Sequence, residues 1–393
     1  MRIILNGWFI DQPLTGSGQY TLQLLKHLPR VAPQHEYALV VPHKNSFEIV
    51  DITADTDLQL LASNIQRPAS NFRKLLFEQS IMPRAARAYE ANVLQVPYWA
   101  PPLRSSVPIV VTIHDIIPLV LPQYRGGPLV RAYTQLVSTA ARGATLILTD
   151  SDASRSDVVE HLRIPADRVC TIYLAAAPEF TTHLDPIDTA ALPLRENYDL
   201  PEEYVLYLGG FDARKNIETL LQVYTWAQDV LGENYPLVIA GSLPDRHDAF
   251  FHDPRVVAKQ IEVESASRCI GRVAEEDKVA LYQQARAFLY PTLYEGFGLP
   301  ALEALACGVP VIGSNASSVP EIVGEAGILV GPQDARAMAG ALIAVCTEDP
   351  LHDELGERAL KQAAKFSWEK CARETAEAYE SVLRETSHRE ASH

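Results

Sequence analysis

Between Tyr290 and Gly313 the chain reads YPTLYEGFGLPALEALACGVPVIG, and two carboxylates, Glu295 and Glu303, stand eight residues apart within it. An apolar run ends in a loop holding Gly296 and Gly298. Pro300 then falls where a helix starts, the helix is expected over Ala301 to Ala306, and Gly308 follows its end. Glycines just before a helix let a ligand approach the backbone N–H groups of Phe297, Gly298 and Leu299, a seat suited to phosphate or sugar oxygens. A tight strand-to-helix turn with both glutamates solvated accounts for the glycines equally well. Even in a continuous helix eight residues span ~12 Å, beyond the ~5–9.5 Å of a glycosidase carboxylate pair. The two are therefore not read as a hydrolytic pair. A carboxylate near a helix start suits accepting two hydrogen bonds from a diol, such as a ribose or hexose edge.

Three other segments place chemistry between a strand and a helix. In LGGFDARKN (Leu208 to Asn216), Arg214 and Lys215 set two cations at a helix N-terminus, where a diphosphate finds charge and N–H donors; a solvated dibasic turn is the plainer reading. In DQPLTGSGQY (Asp11 to Tyr20), Gly16 and Gly18 precede a helix expected near Gln19, another phosphate-cradling arrangement. Glu36, 20 residues past Gly16, invites a dinucleotide-dehydrogenase reading. It is set aside because the glycines lie too far past the strand and Thr21 stands where GxGxxG needs its third glycine. His114-Asp115 closes the run IVVTIHDIIP, at the strand end where α/β sites form, although a lone histidine is more often structural. The turn TDSDASRSD is read as helix capping by Ser151 or Asp152.

These segments need elements to hold them. The chain has 393 residues, 47% hydrophobic and 21% charged, enough for a core in each of two or three domains. Short, almost wholly apolar runs alternate with amphipathic stretches, which spells parallel βαβ units covered on both faces. In the first half the runs are Ile3–Leu5, Tyr37–Val41, Val93–Val96, Ile109–Ile113, Thr145–Thr149 and Val169–Tyr173. After a Pro- and Ala-rich linker, Leu174 to Leu200, they resume at Tyr204–Leu208, Leu237–Ala240, Arg268–Ile270, Phe288–Pro291, Val309–Ile312 and Ile328–Val330. The expected architecture is two doubly wound α/β halves with a ligand cleft between them. A tail helix over Ser367 to Leu383 follows, then ten polar residues from Arg384 that should fray.

Charge and cysteines narrow the partners. The net charge of −15 argues against general nucleic-acid binding. It is uneven: 16 Lys and Arg oppose 15 Asp and Glu through Phe180, then 18 oppose 34. Five scattered cysteines, with no zinc-site spacing, suit a reducing compartment. MRIILNGWFI reads as a first strand, not a signal peptide, and no run reaches membrane-spanning length, so a cytoplasmic protein is expected. The basic run Arg67 to Arg87 is read as a solvated helix because Pro83 interrupts it. Peripheral attachment to anionic lipid at the inner face of the membrane, through Leu75, Leu76, Ile81 and Met82, is the alternative.

Glu295-x7-Glu303, set in P-x-x-Y-E-G-F-G-L-P-x-L-E-A-x-A-x-G-x-P-V, resembles the signature of glycosyltransferase family 4. The resemblance spans essentially the whole chain, including VPEIVGEAG (Val319 to Gly327), LVGPQDA (Leu329 to Ala335) and FSWEKCA (Phe366 to Ala372). It implies a GT-B fold: an acceptor-side Rossmann-like domain over 1–185, a donor domain over 200–365, and a tail helix over 366–386 crossing back to the first domain. It further implies that Lys215 matches the lysine binding the donor diphosphate, while the family's arginine position is Gly210 here, with Arg214 the replacement. Glu303 would hold the ribose, Glu295 and His114 would orient the transferred sugar, and Gly16 and Gly18 would approach the donor phosphates. Arg272 and Val273 would cradle the nucleotide base. Thr15, Tyr98 and Arg125 are lesser acceptor-side candidates.

The expected activity is that of a retaining hexosyltransferase moving sugar from a nucleotide diphosphate donor to a hydroxyl of a glycan or lipid-linked acceptor. The RKN and HDIIP forms resemble mannosyl- and rhamnosyltransferases, which favours GDP-mannose as donor and UDP-glucose next. No cofactor and no metal are expected, since cations and helix ends stabilise the leaving group and no DxD motif lies where an ion would sit. A nucleotide-sugar epimerase or phosphorylase of the same fold, or a non-catalytic nucleotide-sugar-binding module, is the alternative.

Overall fold

The computed structural model describes residues 1–12, 15–42, 58–62, 71–181 and 194–391. The chain divides into two compact units, one of residues 1–174 with 367–393 and the other of residues 175–366.

The first unit is built on seven parallel strands: β1 Arg2–Asn6, β2 Glu36–Val41, β3 Leu58–Ala62, β4 Val93–Val96, β5 Ile109–Thr112, β6 Leu146–Thr149 and β7 Val169–Thr171. Their order is β3-β2-β1-β4-β5-β6-β7, so the winding reverses between β1 and β4. Ile3, Ile4, Leu5, Val93, Leu94, Val110 and Val111 are fully buried, which accounts for strands that are apolar without alternation. The helices are α1 Gly16–Val31, α2 Asn71–Leu76, α3 Met82–Ala88, α4 Ile117–Val120, α5 Pro128–Arg142 and α6 Asp152–Leu162. Ser151 caps α6, its Oγ accepting the Ser154 N–H at 3.0 Å.

The second unit carries β8 Tyr204–Leu208, β9 Leu237–Ala240, β10 Ser267–Gly271, β11 Ala285–Tyr290, β12 Val311–Ser314 and β13 Gly327–Val330. They are all parallel, in the order β10-β9-β8-β11-β12-β13. Covering them are α7 Ile217–Leu231, α8 Pro254–Gln260, α9 Lys278–Gln283, α10 Leu299–Ala306, α11 Val319–Val323, α12 Ala335–Thr347 and α13 Asp349–Ala363. One face of this sheet packs on Leu220, Tyr224, Met338 and Leu342, the other on Tyr282, Ala301, Leu305 and Val323.

Four expectations are corrected. Strand β3 (LQLLA) was not foreseen: it is an edge strand between polar segments, so no turn signals frame it. Helix α1 starts at Gly16, not near Gln19, because Thr15 is its cap and accepts the Gly18 N–H at 3.2 Å; Gly16 and Gly18 are therefore first-turn residues. Pro83 does not interrupt the basic segment. A π turn at Phe77–Ile81 joins α2 to α3 and sets Pro83 in the first turn of α3, where its missing N–H costs little. Of the apolar face expected there, Met82 is fully buried instead of outward-facing, and residues 67–70 lie outside the described residues. The polar tail from Arg384 continues the helix: α14 runs Trp368–Ala391. Part of the linker, 182–193, also lies outside them.

Helix α14 packs on α1 within the first unit, burying Trp368, Cys371, Ala372, Thr375, Tyr379 and Val382. The Tyr379 ring is wholly enclosed, yet its hydroxyl finds no partner among the described residues. Tyr379→Phe should therefore keep or raise stability, while Tyr379→Ala should cost ~3–5 kcal/mol for the lost ring. Urea titration of both variants checks this. A Phe variant as damaged as the Ala variant would show that the hydroxyl, and not the ring, holds the tail.

Candidate active site

The second unit concentrates the sequence candidates at the carboxyl ends of its strands. After β8 the chain turns through Gly209 to Asp212 into a single 3₁₀ turn, Ala213–Lys215. Asn216 follows in a left-handed conformation (φ 58°), and its Nδ2 donates to the carbonyls of Pro291 at 2.8 Å and Pro332 at 2.6 Å. The turn is thereby tied to the chain leaving β11. Lys215 Nζ donates to Glu295 Oε1 at 2.6 Å, and Arg214 Nη1 donates to Glu295 Oε2 at 2.6 Å. The Thr292 hydroxyl adds a bond to Oε1 at 2.8 Å, so each carboxylate oxygen is held by a cation. Arg214 also reaches the Tyr294 carbonyl, and its Nε lies 3.2 Å from Asp212. The Tyr290 ring flanks the Lys215 ammonium, its centroid 5.5 Å away.

The loop carrying Glu295 is pinned from α11. Ser317 Oγ accepts the Glu295 N–H at 2.8 Å, and the Ser318 hydroxyl donates to the carbonyls of Glu295 and Phe297. Gly298 then takes φ 110°, a turn that a side chain would strain, and α10 starts at Leu299. Among the described residues the Gly298 and Leu299 amides have no acceptor, as expected of a helix start.

Burial alone would raise the Glu295 pKa, but Lys215 and then Arg214 overcome it and hold the carboxyl at about 2. Burial lowers the Lys215 pKa, with Glu295 opposing. Burial also works against the Arg214 charge, yet Glu295 and Asp212 raise its pKa. Glu303, in α10, has a different environment. It is buried, the Tyr282 hydroxyl donates to its Oε2 at 2.9 Å, and burial pushes its carboxyl up to about 7 despite Lys278.

The remaining donor-side candidates fall in the same unit. Gly210 follows β8, and its carbonyl accepts the Tyr207 hydroxyl. A side chain there would start 3.2 Å from Asp212 Oδ2, so the position is crowded. Gly296 and Phe297 are buried in the pinned loop. Arg272 is exposed and Val273 buried just past β10, where Gly271 accepts the Gly241 N–H at 2.8 Å.

His114, Gly16 and Gly18 belong to the first unit. His114 Nδ1 lies 2.6 Å from Asp150 Oδ2 and Nε2 lies 3.1 Å from the Pro97 carbonyl. With an acceptor on each side, the ring is best satisfied as an imidazolium donating twice. Burial lowers its pKa, but Asp150, with Asp115 and the Pro97 carbonyl, raises it above the usual histidine range. Both ring nitrogens are thus engaged within the unit, and Tyr20 meets the ring edge-on at 5.0 Å. A side chain on Gly18 would lie 2.0 Å from the Gln12 carbonyl oxygen, so glycine is required there for packing. Gly16 faces open space.

Sequence reasoning missed Asp212, Thr292, Ser317, Ser318, Tyr282 and Asp150. Thr292 and Asp212 adjoin singled-out residues and were within reach, whereas Ser317, Tyr282 and Asp150 meet their partners only through strand order. Among the described residues no group of three or more His, Cys, Asp or Glu side chains could hold a metal ion, and no helix is long and apolar enough to cross a membrane.

Two doubly wound parallel-sheet units of this kind are the architecture of the GT-B fold. The chain matches the Glycosyltransferase Family 4 profile over residues 14–180 and the Glycosyl transferases group 1 profile over residues 193–362. It is 35% identical over 390 residues to the O-antigen chain mannosyltransferase B of Escherichia coli, covering 96% of this chain and 99% of that protein. The serotype-specific mannosyltransferase WbdA of Escherichia coli is 32% identical over 274 residues, 69% of this chain and 33% of its own length. Among solved structures, sucrose-phosphate synthase from Thermosynechococcus elongatus superposes with a TM-score of 0.72 at 19% identity, covering 98% of this chain and 99% of that one. Anabaena HepE, solved in complex with UDP-glucose, gives 0.69 at 16% identity, covering 97% of this chain and all (100%) of its own. At that identity the two structures show the fold alone. The chain belongs to glycosyltransferase family 4, and it is a glycosyltransferase.

The two glutamates respond to pH in opposite directions. Glu295, with its pKa depressed, stabilises the folded state above its ordinary pKa of 4.5, and this is lost as pH falls towards 2. Glu303, with its pKa raised, contributes fully below 4.5 and loses that contribution as pH rises through about 7. Glu303→Gln, which imitates the neutral acid, should thus melt higher than the native protein at pH 8 and equally at pH 4.5. Differential scanning fluorimetry across this range reads the difference; parallel curves would contradict the assignment.

Proposed function

We propose that the enzyme transfers a hexose with retention of configuration, from a nucleotide diphosphate sugar to a hydroxyl of a growing glycan or lipid-linked acceptor. The carrying observation is the Lys215 ammonium, buried and held by one carboxylate oxygen at 2.6 Å, beside the Arg214 guanidinium on the other oxygen. An ammonium has three N–H donors, and Glu295 is the one acceptor of Lys215 among the described residues. The remaining donors suit the leaving diphosphate, whose charge grows as the glycosidic bond breaks. The Gly298 and Leu299 amides at the start of α10, together with Phe297 and Gly296 before them, supplement that charge.

Glu295 is unsuited to act as a covalent nucleophile, because Lys215 and Arg214 neutralise both its oxygens. Its role is to fix the two cations and orient the transferred sugar. Attack then comes from the face the leaving group vacates, and a phosphate oxygen takes the acceptor proton. Glu303 holds the ribose diol, whose two O–H groups favour the carboxylate over the neutral acid that burial promotes. Gly210, Arg272 and Val273 are assigned to the nucleotide side, and His114, Gly16 and Gly18 to the transferred sugar and phosphates, on the family pattern.

The mannosyltransferase names of the relatives support GDP-mannose as the donor, with UDP-glucose the second candidate. Exposed Phe72 and Leu76 on α2, beside Arg73, support weak peripheral contact with an anionic membrane at its cytoplasmic face.

Incubation with GDP-mannose and a mannoside acceptor should give an α-linked product by proton NMR, and Lys215→Ala should lower kcat roughly 10²–10³-fold. A β-linked product, or near-normal turnover of the variant, would contradict the mechanism.

A further inference from the structure

Lys74 of α2 occupies an unusual setting in the first unit. Its ammonium lies 5.1 Å from the Phe9 ring centroid, 5.2 Å from Tyr98 and 5.5 Å from Tyr133. Glu78 approaches it to 3.7 Å, an ion pair too long for a hydrogen bond. The Glu78 carboxylate has no exposed surface, and the Tyr133 hydroxyl bridges its two oxygens at 3.0 Å each. Asn6 Nδ2 donates to the Tyr98 hydroxyl at 3.0 Å, and Phe9 meets Tyr98 edge-on at 4.9 Å. Glu78 belongs to the π turn, a departure from regular helix that often accompanies function.

The location is as informative as the chemistry. Asn6 ends β1 and Tyr98 follows β4, the neighbours between which the winding reverses. In open α/β sheets the crevice at that reversal, beyond the strand carboxyl ends, is where ligands bind. A buried ion pair is a weak source of stability, because desolvation offsets most of its attraction. The Lys74 side chain nevertheless keeps 25% of its surface exposed while Glu78 keeps none. A ligand arriving from the exposed side reaches the Lys74 side chain before the enclosed Glu78.

We propose that Lys74, framed by Phe9, Tyr98 and Tyr133 and backed by Glu78, is the hydroxyl-binding residue of a subsite for a neutral acceptor sugar. The proposal rests on the transfer reaction proposed above and names the acceptor side of it. Glu78 decides the ligand class. Burial pushes the Glu78 carboxyl up to about 7, so above that pH the carboxylate is ionised, the pair sums to zero charge, and an anion such as phosphate gains little from the cluster. A sugar hydroxyl needs only the N–H donors that Lys74 still has. Glu78 and Tyr133 are positioning residues, which hold the ammonium without touching the sugar.

The test uses p-nitrophenyl α-D-mannopyranoside as acceptor and GDP-mannose as donor. Lys74→Met should raise the acceptor KM roughly tenfold to hundredfold, as expected for losing a charged hydrogen-bond donor, and leave GDP affinity by calorimetry unchanged. At pH 8, where Glu78 is ionised, Glu78→Gln should leave the ammonium uncompensated, so that millimolar inorganic phosphate competes with the mannoside, which it does not do in the native enzyme. Should Lys74→Met fail to fold, Lys74→Arg keeps the charge with a different reach and should show the same rise. Saturation-transfer NMR of the mannoside with native and Lys74 variants reads the subsite without turnover. Transfer with an unshifted acceptor KM, equal saturation transfer in both proteins, or phosphate competition in the native enzyme would overturn the subsite. No transfer by the native enzyme, with saturation transfer still lost in the Lys74 variant, would instead overturn the transfer reading and leave the subsite standing.

Discussion

The second unit depends on one arrangement of charge: a carboxylate taken out of water and gripped at each oxygen by a different cation. Neither Lys215 nor Glu295 is tolerable alone where it lies, because an isolated buried ion is costly and an uncompensated partner more so. Their mutual contact at 2.6 Å, with Arg214 on the far oxygen and Asp212 behind Arg214, resolves this before any ligand arrives. The arrangement is also chemically useful. Cations already fixed in place need no reorganisation when negative charge develops beside them, which is the condition for strong electrostatic catalysis.

The fold supplies that rigidity by bringing together ends of strands far apart in the chain. Arg214 and Lys215 follow β8, Glu295 follows β11, and these strands are neighbours in the sheet. Asn216 then ties the turn after β8 to the carbonyls of Pro291 and Pro332, and Ser317 and Ser318 clamp the loop after β11. A left-handed asparagine and a left-handed glycine, Asn216 and Gly298, let both loops turn sharply enough for their side chains to meet. The first unit repeats the logic around His114, which Asp150 and the Pro97 carbonyl hold at the ends of β5, β6 and β4.

Much of this was legible because parallel α/β strands advertise themselves. Strands such as VLYL and FLY are buried on both faces and read as unbroken apolar runs, and the glycine- and proline-marked loops between them show where a site must lie. The Glu295 to Glu303 segment was local enough to name its own chemistry. Other features were not legible. Nothing in the sequence says that Arg214 would share Glu295 with Lys215, since β8 and β11 become neighbours only through the winding order. Strand β3 is not legible because an edge strand among polar residues carries no alternation, and Thr15 is not legible as a cap because Gly18 stands where a capping box has Glu or Gln. Pro83 misled, since a π turn upstream lets the helical path continue. The histidine's charge state depends on Asp150, 36 residues away, a distance that periodicity does not bridge.

A crystal structure with intact GDP-mannose tests the central claim most directly, because it fixes where the diphosphate lies. The account predicts diphosphate oxygens within ordinary hydrogen-bond distance of Lys215 Nζ and Arg214, and of the Gly298 or Leu299 amide, with Glu295 still bridging the two cations. A diphosphate lodged away from Lys215, with the ammonium bound to Glu295 alone, would contradict it.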